Sequence, residues 1–337
     1  MAARDLVVIG GSAGGVEALR GLVAGLPADL AAAVLVVMHT PASSTGRLAR
    51  VVADAGRLPA ALAVDRQPLR RGRIRVAVPD HHLLVGHMGD SGADRGTVVT
   101  RVARGPRVNR VRPAVDPLFR SAARWCGPRV IGVVLSGVLD DGAAGASAIA
   151  ACGGTVLVQD AKEARFDGMP AAALAAVPDA VVGSAAELGR VVGELAGGRA
   201  DDVMECPDDE LVAEIEMMER GGPGPVEGPG PGTESGFGCP ECGGGMKIIT
   251  TGKSVHYRCH VGHAYSPQTL AAFKSETAEK ALWSAASALQ EKAAVHQRLA
   301  AGAAANGRAE LQREHLRTGQ EAATAAALIL REFLAPE

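Results

Sequence analysis

From residue 5 to about 198 the chain alternates two hydrophobic patterns. Leu6–Ile9, Val34–Met38, Val130–Leu135, Thr155–Val158 and Ala180–Val182 are short, β-rich apolar runs, and most are separated by stretches with apolar residues every three or four places. Buried strands alternating with amphipathic helices predict a doubly wound, mostly parallel sheet with helices on both faces. Between about 60 and 112 the pattern changes. Ala60–Val64, Arg73–Val78, His82–Gly86 and Thr97–Arg101 are strand-like runs with turn signals at Pro79-Asp80 and Gly89-Asp90, which predicts an antiparallel hairpin annex on one edge.

The first apolar run ends in Gly10-Gly11-Ser12-Ala13-Gly14-Gly15, followed by one helix face at Val16, Leu19, Leu22 and Val23. A serine on such a strand-turn-helix junction is projected from the sheet beside the N–H groups of the helix start, the setting of a nucleophile. A helix-capping serine fits the same segment. A dinucleotide loop fits less well, because Ser12 stands where the middle glycine of G-x-G-x-x-G belongs.

Sites in open α/β sheets form beyond the carboxyl ends of strands. Val34–Met38 is followed by His39-Thr40-Pro41, and Ile131–Leu135 by Ser136-Gly137-Val138-Leu139-Asp140-Asp141-Gly142. Serine needs a base, histidine serves near neutrality, and a carboxylate fixes the imidazole, so Ser12, His39 and Asp141 form a candidate triad. The bland alternatives are a capping or core histidine and an aspartate that caps the next helix; capping alone accounts for Asp140.

At 337 residues, 47% of them apolar, the chain has ample core for about two domains. A net charge of −2 gives no electrostatic case for nucleic acid, although arginines cluster between Arg101 and Arg112, as a solvated strip or a face for an acidic protein. No apolar run predicts membrane insertion and the N-terminus lacks a signal-peptide layout, so the expectation is a cytoplasmic protein. Cys126 and Cys152 then read as buried thiols, and Cys206 stands alone.

Asp201–Arg220 reads as an acidic amphipathic helix and Gly221–Gly238 as a Gly/Pro-rich linker. Next come Cys239-Pro-Glu-Cys242 and Cys259-His260-Val-Gly-His263, flanking a hairpin pattern at Met246–Ile249 and Val255–Arg258. Two ligand pairs at this spacing predict a zinc-ribbon-like module with Cys239, Cys242, Cys259 and His263 around a structural zinc ion, His260 being the alternate fourth ligand. A redox CxxC would call for a thioredoxin-like βαβ setting, absent here. From Pro267 to Phe333 an Ala-rich helical pattern, broken near Gly302 and Asn306-Gly307, predicts an antiparallel helical hairpin whose apolar faces could pack on the ribbon or support self-association. The expected domains are thus 1–198, a linker over 199–238, the ribbon over 239–266 and the helices over 267–337.

The first region resembles the CheB-type chemotaxis protein-glutamate methylesterases, from about Leu6 to Val192. The resemblance is carried by GGSAGGVEAL, HTP, Val78-Pro-Asp-His-His-Leu83, Asn109-Arg-Val-Arg-Pro-Ala-Val-Asp-Pro-Leu-Phe119, LSGVLDDGAAG, Gln159-Asp160 and Phe166-Asp-Gly-Met-Pro170. It implies a nucleophile at Ser12, a base at His39, an orienting acid at Asp141, and hydrolysis of glutamate methyl esters on a methylated chemoreceptor or similar helical protein through an acyl-enzyme. Deamidation of glutamine is an associated activity, and no catalytic cofactor is expected. Backbone N–H groups near Ala13 and Val138 would be the oxyanion donors, each worth about 3 kcal/mol. Where the family reads T-G-M-G-x-D-G, this chain has Val138 and Leu139, and a left-handed backbone at 139 would be costly for leucine. Family members usually begin with a receiver domain, whereas this pattern starts within about ten residues of Met1, so the expectation is control by the C-terminal extension, by a partner, or not at all. A non-catalytic or altered-substrate adaptor is the competing functional reading.

Overall fold

β1 (Leu6–Gly11) is buried along its whole length, with a parallel strand on each side. The computed structural model describes residues 3–88, 97–200, 232–251 and 254–333 and divides into two compact units, Met1–Leu270 and Ala271–Glu337. In the first, β1 leads through α1 (Gly15–Gly25) to β2 (Ala33–Met38), then α2 (Leu48–Ala55), β3 (Ala60–Leu62) and β4 (Ile74–Val76). After β5 (His82–His87) and β6 (Val98–Ala103) come α3 (Val115–Cys126), β7 (Val130–Val134), α4 (Ala143–Ala151), β8 (Thr155–Gln159), α5 (Gly168–Ala176), β9 (Val181–Gly183) and α6 (Ala185–Leu195).

The main sheet has seven strands in the order β3-β4-β2-β1-β7-β8-β9, with every pairing parallel. Strand alternation divides its core. Val7 and Ile9 face Leu19, Leu22 and Leu188 on the α1/α2/α6 side, while Leu6 and Val8 face Leu118, Phe119 and Ile149 on the α3/α4/α5 side. The order reverses direction at β1, which places a crevice beyond the carboxyl ends of β2, β1 and β7. The antiparallel annex is smaller than expected. Only β5 and β6 pair as a hairpin, whereas β3 and β4 extend the parallel sheet, because their apolar residues are needed to cover α2 and the edge of β2.

Thr233–Gly238, expected to end a linker, forms β10 of a four-stranded antiparallel ribbon with β11 (Gly245–Thr251), β12 (Ser254–Cys259) and β13 (Ala264–Tyr265). The expected helix over 201–220 lies outside the described residues, as do Cys206 and the predicted turn at Gly89-Asp90. The ribbon is joined to the α/β body by a parallel bridge between Val108 and Ala264, whose side chains share an apolar cluster with Leu84 and Ala114.

α7 (Pro267–Ala305) begins at this seam, and Ser266 caps it by accepting from the Thr269 N–H at 3.0 Å. In the second unit α7 runs unbroken through Gly302 and turns only at Asn306-Gly307 into α8 (Ala309–Phe333). Gly307, at φ 66, takes the left-handed conformation that ends a helix, while Gly302 has no such φ. The two helices lie antiparallel, with Gly319 against His296 and Ala293. Trp283, Val295, Leu299 and Leu316 remain exposed. Among the described residues no helix is long and apolar enough to cross a membrane.

Gly302 is an exposed helix-interior glycine with open space where a Cβ would stand. Gly302→Ala should therefore stabilise the helical unit by about 0.5–1 kcal/mol, read as a higher midpoint in thermal unfolding followed by helical circular dichroism.

Candidate active site

Gly14, at φ 69, caps α1 and turns the chain sharply after β1, leaving Ser12 half-buried at the strand end. The turn is tied to the neighbouring strand end: the Ser12 N–H donates to the Ser136 carbonyl at 2.9 Å and the Ser136 hydroxyl donates to the Ala13 carbonyl at 2.8 Å. Ser136 is itself fully buried, held by the Gln159 side chain, which accepts from its N–H at 2.8 Å. Sequence reasoning passed over Ser136, although its place at the end of an apolar run was the available signal.

The structure brings Ser12, His39 and Asp141 together. The Ser12 hydroxyl donates to His39 Nδ1 at 3.0 Å, and His39 Nε2 donates to Asp141 Oδ2 at 2.7 Å. The nitrogen facing the carboxylate carries the proton, which leaves Nδ1 as the acceptor for serine. This is the reverse of the ring orientation in chymotrypsin-like triads, where Nε2 meets the serine. The chemistry is equivalent, since either nitrogen can take a proton while the other holds one.

Asp141 is buried and receives further donors: the Val115 N–H at 2.6 Å on Oδ2, and the Asp116 N–H at 3.3 Å and Asn109 Nδ2 at 3.2 Å on Oδ1. Burial pushes its pKa up, but hydrogen bonds from His39, Val115 and Asp116 outweigh it and hold the carboxyl below its ordinary value. Asp140 is used elsewhere. It accepts from Ser266 Oγ at 2.7 Å and Thr269 Oγ1 at 2.9 Å, so its bonds run to the start of α7, where sequence suggested a cap for the following helix. Gly142, at φ 94, occupies the cap position of α4.

The loop after β7 passes close to the serine. A Cβ on Gly137 would stand 2.9 Å from Ser12 Cβ and would collide with Met169 Sδ, so only glycine fits there. Neither the Ala13 nor the Val138 N–H donates to another group among the described residues. Leu139 does take a left-handed backbone, at φ 60, with its side chain 42% exposed. The arginine strip is partly consumed by ion pairs: Arg112 and Arg104 with Asp80 at 2.6 and 2.8 Å, and Arg101 with Asp65 at 3.2 Å.

In the ribbon, Cys239, Cys242, Cys259 and His263 bring their ligand atoms within 4.8 Å of one another. Tetrahedral zinc with ordinary Zn–S and Zn–N bonds needs edges of about 3.8 Å between sulfurs and about 3.6 Å between sulfur and nitrogen. Cys242 to Cys259 is 3.6 Å, and His263 Nδ1 lies 3.7 Å from Cys239 and 3.5 Å from Cys259. His263 Nε2 faces Glu241 at 3.4 Å, a carboxylate placed to orient a ligating imidazole. His260 is exposed, lies over Gly244 and is not part of the cluster. Cys126 is a buried free thiol, whereas Cys152, expected to be one too, is buried but disulfide-bonded.

The CheB methylesterase family pattern matches residues 7–192, more than half of the chain. The chain belongs to the CheB methylesterase family. Over 168 residues it is 40% identical to "Protein-glutamate methylesterase/protein-glutamine glutaminase 2" of Caulobacter vibrioides, covering 50% of this chain and 47% of that one. A Myxococcus xanthus relative, "Protein-glutamate methylesterase/protein-glutamine glutaminase 5", is 40% identical over 171 residues, covering 51% and 47%. The chain thus spans about half the length of these curated relatives. The crystal structure of the Thermotoga maritima CheB methylesterase catalytic domain aligns with a TM-score of 0.53 at 30% identity, covering 58% of this chain and all of that domain. The CheB match ends before the ribbon and the helical pair.

Beside Asp141, Asp116 is a second buried carboxyl. Its Oδ1 accepts from the Gly142 N–H at 3.1 Å and the Gly145 N–H at 2.7 Å, tying α3 to α4. Burial, and then the nearby Asp141 charge, push it up to about 8. An acid raised in the fold binds its proton more tightly there than in the unfolded chain. Its effect is a loss of stability that begins above the unfolded value near 3.8 and is complete only above about 8. Asp116→Asn keeps an acceptor for both glycines and removes the titration. Its urea midpoint should gain on that of the wild type as pH rises from about 5 to about 8 and hold a constant lead above that.

Proposed function

We propose that this chain is a serine hydrolase that removes methyl esters from glutamate side chains of chemoreceptor-like proteins. The continuous hydrogen-bonded line from Ser12 through His39 to buried Asp141, at three strand ends of a CheB domain, supports this reading above all else. The names of the relatives, protein-glutamate methylesterase and protein-glutamine glutaminase, supply the substrate class.

In this mechanism Ser12 Oγ attacks the ester carbonyl as its proton passes to His39 Nδ1. The imidazolium that forms is stabilised by Asp141 through Nε2. The Ala13 and Val138 N–H groups, which have no other acceptor among the described residues, take the oxyanion charge. Collapse of the tetrahedral species breaks the bond to methoxide, which leaves as methanol with the proton from His39. Water, deprotonated by the same nitrogen, then attacks the acyl-serine, and the glutamate carboxylate departs as Ser12 regains its proton. With a glutamine side chain the same steps release ammonia.

The Cys239, Cys242, Cys259 and His263 group binds zinc in this reading. These four side chains would leave no open position on the metal, whose contribution would be to hold the two turns of the ribbon together rather than to take part in the hydrolysis.

Methanol release from a methyl-esterified receptor fragment should fall by about a thousandfold or more in Ser12→Ala, and release that survives the substitution would sink the triad. Protein purified without chelator should carry an equimolar amount of zinc, and Cys242→Ser should lose it. Cobalt substitution should produce a thiolate-to-metal absorption band in the wild type alone; metal-free protein with an intact ribbon would remove the zinc reading.

A further inference from the structure

The acid end of the triad is connected to the C-terminal extension, and the connection runs through Asn109. This residue is 6% exposed and sits with Arg110 in a two-residue turn, φ 51 and 61, closed by mutual hydrogen bonds between Val108 and Val111. Asparagine tolerates the left-handed backbone better than most residues, which explains why the turn can carry a side chain here. Its carboxamide is used at both ends. Nδ2 donates to Asp141 Oδ1 at 3.2 Å, and Oδ1 accepts from the Ser266 backbone N–H at 2.9 Å. The two contacts fix the amide orientation, since the flipped form would aim oxygen at a carboxylate and NH2 at an N–H. The Asn109 N–H in turn donates to the Ala264 carbonyl at 2.8 Å. Ser266 is held by its neighbour across the seam, Asp140, which binds both Ser266 Oγ and Thr269 Oγ1.

We propose that Asn109 is a positioning residue for the esterase reaction and that the ribbon, through Ser266, holds it in register, so that the C-terminal extension completes the support of the triad. The inference rests on the triad reading above. Among the described residues Asn109 makes no hydrogen bond to Ser12 or His39; it acts through Asp141, stabilising the charged form and restraining carboxylate rotation so that Oδ2 stays on His39 Nε2. Ser266 lies outside residues 7–192, so this half of the support is an addition to the family's domain.

The test measures inactivation of the full-length chain by a small fluorophosphonate, a probe that reports the nucleophilicity of Ser12 without any receptor. The downfield imidazole proton resonance of His39 reports the bond to Asp141 independently. Asn109→Gly removes the carboxamide without straining the left-handed turn, and should lower the maximal inactivation rate about tenfold, the scale of one charge-assisted hydrogen bond, with half-saturation unchanged. Asn109→Asp, nearly the same shape but a carboxylate facing a carboxylate, should lose more. The double variant Ser266→Ala/Thr269→Val loosens the seam and should slow labelling to a smaller extent. If the ribbon acts through Asn109, adding that pair to Asn109→Gly should cause no further loss, and the His39 resonance should shift in each variant. Wild-type rates and an unmoved resonance in Asn109→Gly would overturn the positioning role. Losses that multiply in the combined variant would overturn the ribbon's action through Asn109. A wild-type chain that is not labelled at Ser12 would instead overturn the triad reading, and the relay with it.

Discussion

The carboxylate of Asp141 is the constraint on which the rest of the first unit depends. A buried charge is tolerated only when donors replace the water it has lost, and here they come from separate parts of the chain: Asn109 in the loop before α3, the first N–H groups of α3 at Val115 and Asp116, and His39 after β2. Each donor fixes the place of the element that carries it. The amino end of α3 must point at the site, β2 must end beside β1, and the loop before α3 must fold back over the strand ends. The same N–H groups and helix terminus that stabilise the anion also define the crevice in which Ser12 stands.

Most of this architecture was legible in the sequence because it depends on local rules. Unbroken apolar runs specify parallel strands, and the residues just beyond them specify the crevice, so Ser12, His39 and Asp141 can be named from the sequence alone. The hairpin annex was overestimated for a related reason. Short strands such as Ala60–Leu62 and Ile74–Val76 look alike whether they pair with each other antiparallel or join a sheet edge, and burial against α2 decides between the two. Gly302 was overread as a break because a glycine weakens a helix without ending it, and the left-handed Gly307 is what stops α7.

What sequence could not supply was the set of partners that act over long separations. Asn109 meets Asp141 across 32 positions and Ser266 across 157, and no periodicity connects them. Asp140 illustrates the point best. Its place before a helix suggested a cap, yet Gly142 holds that place and the carboxylate binds hydroxyls 126 and 129 positions away. A tail that looked like an appendage attached by a linker is, through β13 and Ser266, hydrogen-bonded to the same loop that donates to Asp141.

The two adjacent aspartates can serve different masters because of the backbone around them. Leu139 at φ 60 and Gly142 at φ 94 bracket Asp140 and Asp141 with left-handed residues, so the chain twists between two neighbouring side chains and sends one to the α7 cap and the other to His39. For leucine that conformation costs about 1 kcal/mol or more, and the exposed side chain recovers little of it by burial. The strain persists because the surroundings over-determine it: Gly168 lies against the Leu139 backbone, Gly137 lies against Ser12, and both carboxylates are fixed by bonds that a relaxed loop would break. A strained turn beside Ser12 thus sends one carboxylate to His39 and the other to the α7 cap, which makes the conformation of residues 139–142 one of the links, with the Val108–Ala264 bridge and Asn109, between the α/β body and the ribbon.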